Sequence, residues 1–159
     1  MLYKRDLSAA IQRLSKHFPC LVLTGARQTG KTTLLKGLFR DYCYVSLDVP
    51  SIAEKAEKDP SGFLAEYPPP LVVDEVQYAP RIFRHLKSVI DQDREKNGQF
   101  ILTGSQKFTL MKEVSDSLAG RCAVLELENL SMHELRETLD IEQAQVVLTR
   151  GLFPQLWKD

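Results

Sequence analysis

The chain has 159 residues, which is within the usual range of one domain, and 43% of them are hydrophobic, enough to form a buried core. Its 21 basic and 21 acidic residues balance, so the overall charge gives no attraction to nucleic acid or to a membrane surface. Three widely separated cysteines, Cys20, Cys43 and Cys122, exclude a disulfide framework and predict reduced thiols in a cytoplasmic protein.

Short apolar runs alternate with amphipathic segments along the chain. The helical segments are predicted at about 7–18, 31–39, 52–58, 61–67, 82–97 and 107–118, with a short one after Ser131. The apolar runs predict buried strands at 20–24, 43–48, 71–75, 99–105 and 122–127. This alternation predicts an α/β fold with three layers, in which a parallel sheet is covered on both faces. Residues 146–159 have no clear assignment.

The loop after the first strand has the pattern of a phosphate-binding loop, Gly-x-x-x-x-Gly-Lys-Thr. The predicted nucleotide-binding residues are Gly25, Ala26, Arg27, Gln28, Thr29, Gly30, Lys31, Thr32 and Thr33. Glycines let the backbone amides point at phosphate oxygens, and the following helix adds its positive N-terminal end. Lys31 is therefore expected to contact the β- and γ-phosphates, and Thr32 to ligate Mg²⁺. The alternative, a glycine-rich turn that binds nothing, is disfavoured by the strand before the loop and the helix after it.

Acidic residues end two of the predicted strands. Asp74 and Glu75 follow an apolar strand, which predicts Asp74 beside the metal and Glu75 as the base that orients and partly deprotonates an attacking water. The alternative is an acidic strand end that meets solvent. Asp48 is expected to cap the next helix rather than to contact the nucleotide, and Ser51 with Glu54 matches a capping box for that helix.

Two polar residues farther along the chain complete the predicted catalytic set. Ser105, at the tip of the fourth strand, is expected to hydrogen-bond the γ-phosphate or the water, unless it forms only a turn. Arg121 follows a glycine break before the fifth strand and is expected to face the γ-phosphate of its own nucleotide or of a neighbouring subunit. The alternative for Arg121 is a surface salt bridge. Gln77 either positions a substrate or packs, and the sequence does not separate these roles.

Several segments together resemble a known family. "LVLTGARQTGKTTLL", "YVSLDVP", "LVVDEVQYAP" and "FILTGSQKFTLMKEVSDSLAGR" are similar to the prokaryotic predicted ATPases of the AAA+ superfamily, which are related to the STAND signal-transduction ATPases. The resemblance runs from about Leu7 to Trp157, and its most specific part is "DEVQ" followed by "GSQ" and "SLAGR". In the segment that matches "RGLFPQLW", the family usually has a second glycine and an acidic residue where Leu152 and Gln155 stand.

The resemblance implies the additional-strand class of P-loop NTPase, with the strand order 5-1-4-3-2. It implies that Lys31 and Thr32 belong to the Walker A motif, that Asp74 and Glu75 form the Walker B motif, and that Ser105 is at the sensor-1 position. Arg121 matches the arginine of the family's "LAGR" segment. Family members carry a helical lid and a C-terminal domain, and about thirty residues after Glu128 are too few for these. Residues 1–159 are therefore expected to be one ATPase domain, a fragment of a longer protein.

Three functions are compatible with these features. The first is Mg²⁺-dependent binding and hydrolysis of ATP that drives or switches a protein partner or the missing C-terminal domain. The second is a nucleotide-gated switch with little turnover, and the third is a small-molecule kinase, for which the sequence offers no clear lid. The absence of an Asn-Lys-x-Asp guanine motif favours ATP over GTP. Binding of nucleic acid has no independent support from the neutral charge, and no membrane partner is expected.

Overall fold

The computed structural model describes residues 3–138, 147 and 150–157. Five parallel strands form one sheet with the order β2-β3-β4-β1-β5. The strands are β1 (Cys20–Thr24), β2 (Cys43–Ser46), β3 (Leu71–Asp74), β4 (Phe100–Gly104) and β5 (Cys122–Glu126). Counted from the other edge, this is the expected order 5-1-4-3-2, so the α/β fold class and the position of β4 between β1 and β3 are confirmed.

Helices and 3₁₀ turns connect and flank the strands in the part of the chain that the structure describes. The helices are α1 (Ser8–Ser15), α2 (Lys31–Leu38), α3 (Pro50–Lys58), α4 (Pro60–Glu66), α5 (Ile82–Gln92), α6 (Lys107–Ser117) and α7 (Met132–Thr138). The 3₁₀ turns span Val76–Tyr78 and Pro154–Trp157. None of the helices in this part of the chain combines the length and apolar composition that crossing a bilayer requires.

The core lies on both faces of the sheet, because successive residues of a strand point to opposite faces. Val22 of β1 belongs to a large cluster that includes apolar residues of α4, α5 and α6. Leu21 and Leu23 belong to a second cluster, formed with α1 and α2. The strands β1, β3 and β4 are buried along their whole length, whereas β5 at the sheet edge is only partly covered. This explains why the central strands are apolar without alternation.

Several element boundaries, among them those of α3, β2 and α5, differ from the sequence-based expectations. The helix α3 begins at Pro50 with Val49 as its N-cap residue, and no side chain caps it, so the capping box of Ser51 was wrong. Proline is well suited to the first helical position because its missing N–H has no intrahelical acceptor there. The strand β2 ends at Ser46. The helix α5 ends at Gln92, before the predicted glycine stop, and the buried side chain of Gln99 donates to the carbonyls of residues 93 and 96 in the turn that follows.

A third, smaller apolar cluster joins the two ends of the described chain. We call residues 3–7 the N-terminal arm and residues 150–157 the C-terminal turn. The cluster contains Tyr3 of the arm, Trp157 of the turn and Leu135 of α7. The hydroxyl of Tyr3 donates to the carbonyl of Trp157, and the backbone N–H of Leu130 donates to the carbonyl of Leu152 over 2.9 Å. Both chain segments are thereby held beside the carboxyl edge of the sheet, where β5 runs into α7.

Candidate functional site

The loop between β1 and α2 has the tight backbone that a phosphate-binding loop needs. Gly25 has a φ of 143°, and a Cβ atom there would lie 2.3 Å from the backbone oxygen of Leu127, so only glycine fits. Gly30 is left-handed at the N-cap of α2 (φ 93°), and Gln28 also has a positive φ of 66°. The chain reversal places the start of α2 directly above the loop, as binding of an anion at a helix N-terminus requires.

The side chain of Lys31 lies within this loop and is buried, with 5% of it exposed. Its Nζ donates to the carbonyls of Gly25 over 2.9 Å and Ala26 over 2.7 Å. Burial lowers the pKa of Lys31, while the negative charges of Glu75 and Asp74 oppose this shift. The ammonium is therefore held at the loop by two neutral acceptors, which phosphate oxygens can replace with stronger, charged ones.

Asp74, at the carboxyl end of β3, contacts the start of α2. Its Oδ2 accepts hydrogen bonds from Oγ1 of Thr32 over 2.8 Å and from the hydroxyl of Tyr44 over 2.5 Å. Oδ1 of Asp74 is buried and has no hydrogen-bond partner among the described residues. Carboxylate and hydroxyl oxygens are the ligands Mg²⁺ uses in nucleotide sites, so Thr32 and the bare oxygen of Asp74 fit this ion.

Glu75 follows Asp74 in a left-handed backbone conformation, with φ 55° and ψ 45°. Its Oε2 accepts three hydrogen bonds, from the backbone N–H (3.2 Å) and Oγ (3.1 Å) of Ser105 and from Nε2 of Gln77 (2.5 Å). The structure thus brings the predicted residues Glu75 and Ser105 into direct contact. The contact of Ser105 with a γ-phosphate stays a prediction.

A cavity of about 510 Å³ opens over the loop, within the size range of small-molecule sites. It is lined by Tyr3, Arg5, Arg27, Gln28, Gly30, Lys31, Thr32, Thr33, Leu34, Asp48, Glu75, Pro154 and Gln155. The phosphate-binding loop, the N-terminal arm, the C-terminal turn and the ends of the strands therefore share one cavity. Most of the predicted nucleotide-binding residues and Glu75 are among its walls.

Asp48 lines this cavity and does not cap α3, so the expectation of a capping role was wrong. The reason is that β2 ends two residues earlier, which leaves Asp48 in the connection to α3 and facing the site. Burial and then the negative charges of Glu75 and Asp74 raise the pKa of Asp48. The three carboxylates are therefore close enough for their negative charges to act on one another.

Arg5, in the N-terminal arm, was missed by sequence reasoning. Its buried guanidinium donates to Oε1 of Glu134 (2.9 Å), to the carbonyl of Thr29 in the loop (2.7 Å) and to the carbonyl of Glu128 after β5 (2.7 Å). Glu134 and Ser131 form a capping box for α7 through reciprocal side-chain to backbone bonds. That box is the one sequence signal near this ion pair, since nothing around Arg5 forms a motif.

Pro154 and Gln155, in the C-terminal turn, were also not predicted as site residues. Nε2 of Gln155 donates to Oε1 of Gln28 in the loop over 2.6 Å. A Cβ atom on Gly30 would lie 3.8 Å from Cγ of Pro154, so this ring is directly next to the loop. The family resemblance of the "RGLFPQLW" segment was the only signal that pointed to this turn.

The structure does not bring Arg121 to the site. It precedes β5, and its carbonyl accepts from the N–H of Cys20 at the start of β1. The five residues of β1, at about 3.3 Å each, separate it from the loop by roughly 16 Å. Nε and Nη2 of Arg121 donate to the two carboxylate oxygens of Asp91 over 2.8 and 2.9 Å. Contact with the chain's own nucleotide does not fit this placement, and contact with a neighbouring subunit stays a prediction.

The fold and the site together define the class of protein. A parallel sheet of order 5-1-4-3-2, a Gly-x-x-x-x-Gly-Lys-Thr loop between β1 and α2 and an acidic pair after β3 are the marks of a P-loop nucleotide-binding domain. The sequence model of a family described as AAA domain matches residues 17–136, and the chain belongs to this family. Membership confirms the resemblance to AAA+ ATPases and supports a nucleotide-binding function of the ATPase type.

Comparison with individual proteins agrees with this family. The chain is 31% identical over 137 residues to uncharacterized proteins of Mycobacterium bovis and Mycobacterium tuberculosis. The match covers 85% of this chain but 31% of each relative, so the chain spans about a third of their length.

Solved structures share the fold at lower sequence identity. The Walker-type ATPase of Pyrococcus abyssi has a TM-score of 0.62 at 14% identity, covering 96% of this chain and 65% of that one. DnaA from Aquifex aeolicus with bound AMPPCP has a TM-score of 0.59 at 21% identity, covering 94% of this chain and 56% of that one. At these identities the comparisons establish the P-loop fold.

Proposed function

We propose that this chain binds ATP together with Mg²⁺ and hydrolyses it. The observation that carries the proposal is the convergence of Lys31, Thr32 and Glu75 on one cavity of about 510 Å³, with Asp74 hydrogen-bonded to Thr32. An ammonium, a metal-binding pair and a carboxylate base are the groups that phosphoryl transfer to water requires.

Each residue has a defined task in this reaction. Lys31 exchanges its two carbonyl acceptors for oxygens of the β- and γ-phosphates. Thr32 and Asp74 hold Mg²⁺, which neutralises charge on the phosphates when it is bound. Oε1 of Glu75 receives no hydrogen bond in the described residues, and this oxygen accepts the proton of the attacking water. Ser105 keeps the carboxylate in place and contributes a hydroxyl beside the γ-phosphate.

The base of the nucleotide lies against the part of the cavity formed by the two chain ends. Tyr3 of the N-terminal arm and Pro154 of the C-terminal turn offer flat apolar surface for a purine, and Gln155 offers an amide. Because a purine buries its faces against such side chains, this wall gives affinity for a nucleoside beyond that of the phosphates. The absence of a guanine-binding motif favours adenine.

The hydrolysis cycle drives or switches a protein partner. The partner is a further segment of the same polypeptide or a separate protein, and the neutral charge gives no support to nucleic acid. The second candidate is the nucleotide-gated switch with little turnover, for which the same residues would bind the nucleotide. The two functions share the site and differ in the rate of turnover.

Calorimetry with ATP and GTP, with and without Mg²⁺, combined with measurement of phosphate release, tests this proposal. We expect ATP to bind with Mg²⁺ and Lys31→Ala to weaken binding by about tenfold or more, the loss of one charge-assisted contact. Glu75→Gln is expected to bind ATP normally but to lower turnover by about 100-fold. Lys87→Ala, on the exposed face of α5, is the control that changes neither.

Each result separates the candidates. Failure of the wild-type chain to bind any nucleoside triphosphate would falsify the whole assignment. If the wild-type chain binds ATP without releasing phosphate, and Glu75→Gln does the same, the nucleotide-gated switch is favoured over the ATPase. Transfer of phosphate to a metabolite in place of water would indicate the kinase alternative.

A further inference from the structure

Gln77 is a buried polar side chain that has no role in the steps of ATP hydrolysis proposed above. It lies in the 3₁₀ turn that follows Glu75, and 7% of it is exposed. Its Nε2 donates to Oε2 of Glu75, while its Oε1 is buried without a hydrogen-bond partner in the described residues. A carboxylate only accepts hydrogen bonds, so the NH₂ group and not the carbonyl of the amide must face Glu75.

The fold makes room for this amide at the end of β4. A Cβ atom on Gly104 would lie 2.4 Å from Oε1 and 3.4 Å from Cδ of Gln77. Glycine is required here because a side chain would not fit, and not because of the backbone conformation, since the φ of Gly104 lies outside the left-handed region. The amide is therefore held between the backbone of β4 and the carboxylate of Glu75, next to Ser105, which donates to the same oxygen.

Packing alone does not account for this arrangement. An amide that leaves its carbonyl oxygen buried and unpaired is less favourable than an apolar side chain of the same size. The backbone of Glu75 also occupies a left-handed conformation that non-glycine residues seldom adopt, and such conformations persist at functional sites where the surroundings fix them. The unpaired oxygen of Gln77 and the left-handed backbone of Glu75 are both explained if the site needs the Glu75 carboxylate in one fixed orientation.

We propose that Gln77 is a positioning residue that anchors Oε2 of Glu75, so that Oε1 faces the cavity as the proton acceptor. The inference rests on the proposed hydrolysis, since it gives the anchored carboxylate its task. Gln77 is absent from the cavity walls, whereas Glu75 is one of them, so Gln77 acts through Glu75 and not on the nucleotide. Gly104 contributes to the same positioning, because a residue with a Cβ atom at this place would overlap the amide of Gln77.

Two substitutions remove the anchor by different routes. Gln77→Met keeps the size of the side chain and removes its donor. Gly104→Ala adds a methyl group that displaces the flexible end of Gln77 and lies 3.0 Å from Cδ2 of Leu110, so it meets side chains and not backbone. Both variants are expected to lower kcat between about tenfold and 100-fold, the range for a slightly misplaced catalytic group, and to change the Kd of ATP less than twofold. The combined variant is expected to be no slower than the slower single variant.

A double-mutant cycle with Glu75→Gln gives the sharpest test. If Gln77 acts through Glu75, adding Gln77→Met to Glu75→Gln produces no further loss of turnover. Wild-type kcat in Gln77→Met, an independent loss in the Glu75→Gln background, or weakened ATP binding in Gly104→Ala would each overturn the positioning role. Thermal unfolding of all variants checks that differences in kcat are measured on folded protein.

A readout that does not depend on turnover separates this inference from the proposed function. The side-chain amide protons of Gln77, observed by ¹⁵N NMR, are expected to be shifted by the carboxylate and to lose that shift in Glu75→Ala. A Glu75-dependent shift in a chain that releases no phosphate means that the anchor exists and the hydrolysis proposal is wrong. Phosphate release together with amide protons that do not respond to Glu75→Ala means that the hydrolysis stands and the anchor does not.

Discussion

Tyr44 and Thr32 both donate to one oxygen of Asp74 and leave the other oxygen bare. Burial, followed by the hydrogen bond to Asp74, raises the pKa of Tyr44 well above its ordinary value, so the phenol stays a donor at any physiological pH. The ring of Tyr44 also lies under the ammonium of Lys36, 4.0 Å from its centroid. Tyr44 is thus held in place from two sides and in turn fixes the carboxylate that we propose holds Mg²⁺.

Tyr44→Phe is expected to lower the affinity of the site for Mg²⁺ without disturbing its shape. The phenylalanine ring keeps the contact with Lys36 but no longer fixes Asp74. Loss of such an outer partner typically lowers metal affinity by about tenfold or more, so the Mg²⁺ concentration for half-maximal ATP binding should rise by about tenfold. Calorimetric titration of ATP at a series of Mg²⁺ concentrations measures this change.

The neighbouring Tyr42 supplies the control, since it lies outside the nucleotide cavity. Tyr42→Phe is expected to leave the Mg²⁺ dependence unchanged. Equal half-maximal concentrations for Tyr44→Phe and the wild type would show that the hydrogen bond to Asp74 has no part in holding the ion. Weaker binding of ATP in the absence of Mg²⁺ would place Tyr44 in the nucleotide site itself.

At the scale of elements, the N-terminal arm is connected to three other parts of the chain through one guanidinium. Arg5 donates to the loop at Thr29, to the connection after β5 and to Glu134 of α7. A buried ion pair by itself is weak evidence for stability, because desolvation offsets the attraction. Here the two terminal nitrogens of Arg5 also donate to backbone carbonyls, which ties the geometry of the loop to α7.

Arg5→Met is expected to destabilise the fold by about 3–5 kcal/mol, because it removes the guanidinium from the buried carboxylate of Glu134. The combined variant Arg5→Met, Glu134→Gln should regain part of this loss, since it also removes the buried negative charge of residue 134. Both variants should bind ATP more weakly than the wild type, because the carbonyl of Thr29 is no longer held. Urea unfolding measures the first effect and calorimetry the second.

The control for this experiment is Arg13→Met on the exposed face of α1. It removes one positive charge without a buried partner and should change the free energy of unfolding by less than about 0.5 kcal/mol. Equal stability of Arg5→Met and Arg13→Met would show that the buried pair contributes nothing. Full recovery of ATP binding in the combined variant would mean that the weaker binding in Arg5→Met comes from the charge of Glu134 and not from the loss of the hydrogen bond to Thr29.

For the molecule as a whole, the strands and their parallel arrangement followed from local signals in the sequence, whereas the strand order was implied by the family resemblance. Apolar runs of four or five residues mark β1, β3 and β4, and the loop after β1 carries its complete pattern within eight residues. Parallel strands then bring the loop, the acidic pair and Ser105 to one edge. Boundaries such as the start of α3 failed where a competing local signal, Pro50 at the first helical position, was stronger than the capping box.

The rest of the site depends on contacts between residues distant in sequence. The pair of Arg5 and Glu134 joins positions 129 residues apart, and the bond of Gln155 to Gln28 joins positions 127 residues apart. No periodicity or spacing encodes such pairs, because they form only after the chain ends fold back over the loop. Gln77 was noticed in the sequence, but its role was undecided until the space above Gly104 could be seen.

The proposed nucleotide site lies at the carboxyl edge of the sheet, and an ion-pair cluster lies at its amino edge. Asp91, near the end of α5, accepts from Arg121 before β5 and from Arg94 one turn farther along. The hydrogen bond from Arg121, followed by the one from Arg94, lowers the pKa of Asp91 to about 2. This cluster joins α5 to the edge strand β5, which has a neighbouring strand on only one side.

Asp91→Asn and Arg121→Ala are expected to lower the urea midpoint of unfolding at neutral pH. The pKa of Asp91 is lower in the folded than in the unfolded chain, where it is about 3.9, so the stabilisation is complete above about pH 4 and is lost as the pH falls through about 2. The difference in urea midpoint between wild type and Asp91→Asn should therefore narrow from pH 5 to pH 2.5, whereas a pH-independent difference would assign the effect to packing.

Because Arg121 lies about the length of β1 from the loop, Arg121→Ala should keep the wild-type Kd of ATP. Loss of turnover that depends on protein concentration would instead place this arginine in the site of a neighbouring subunit.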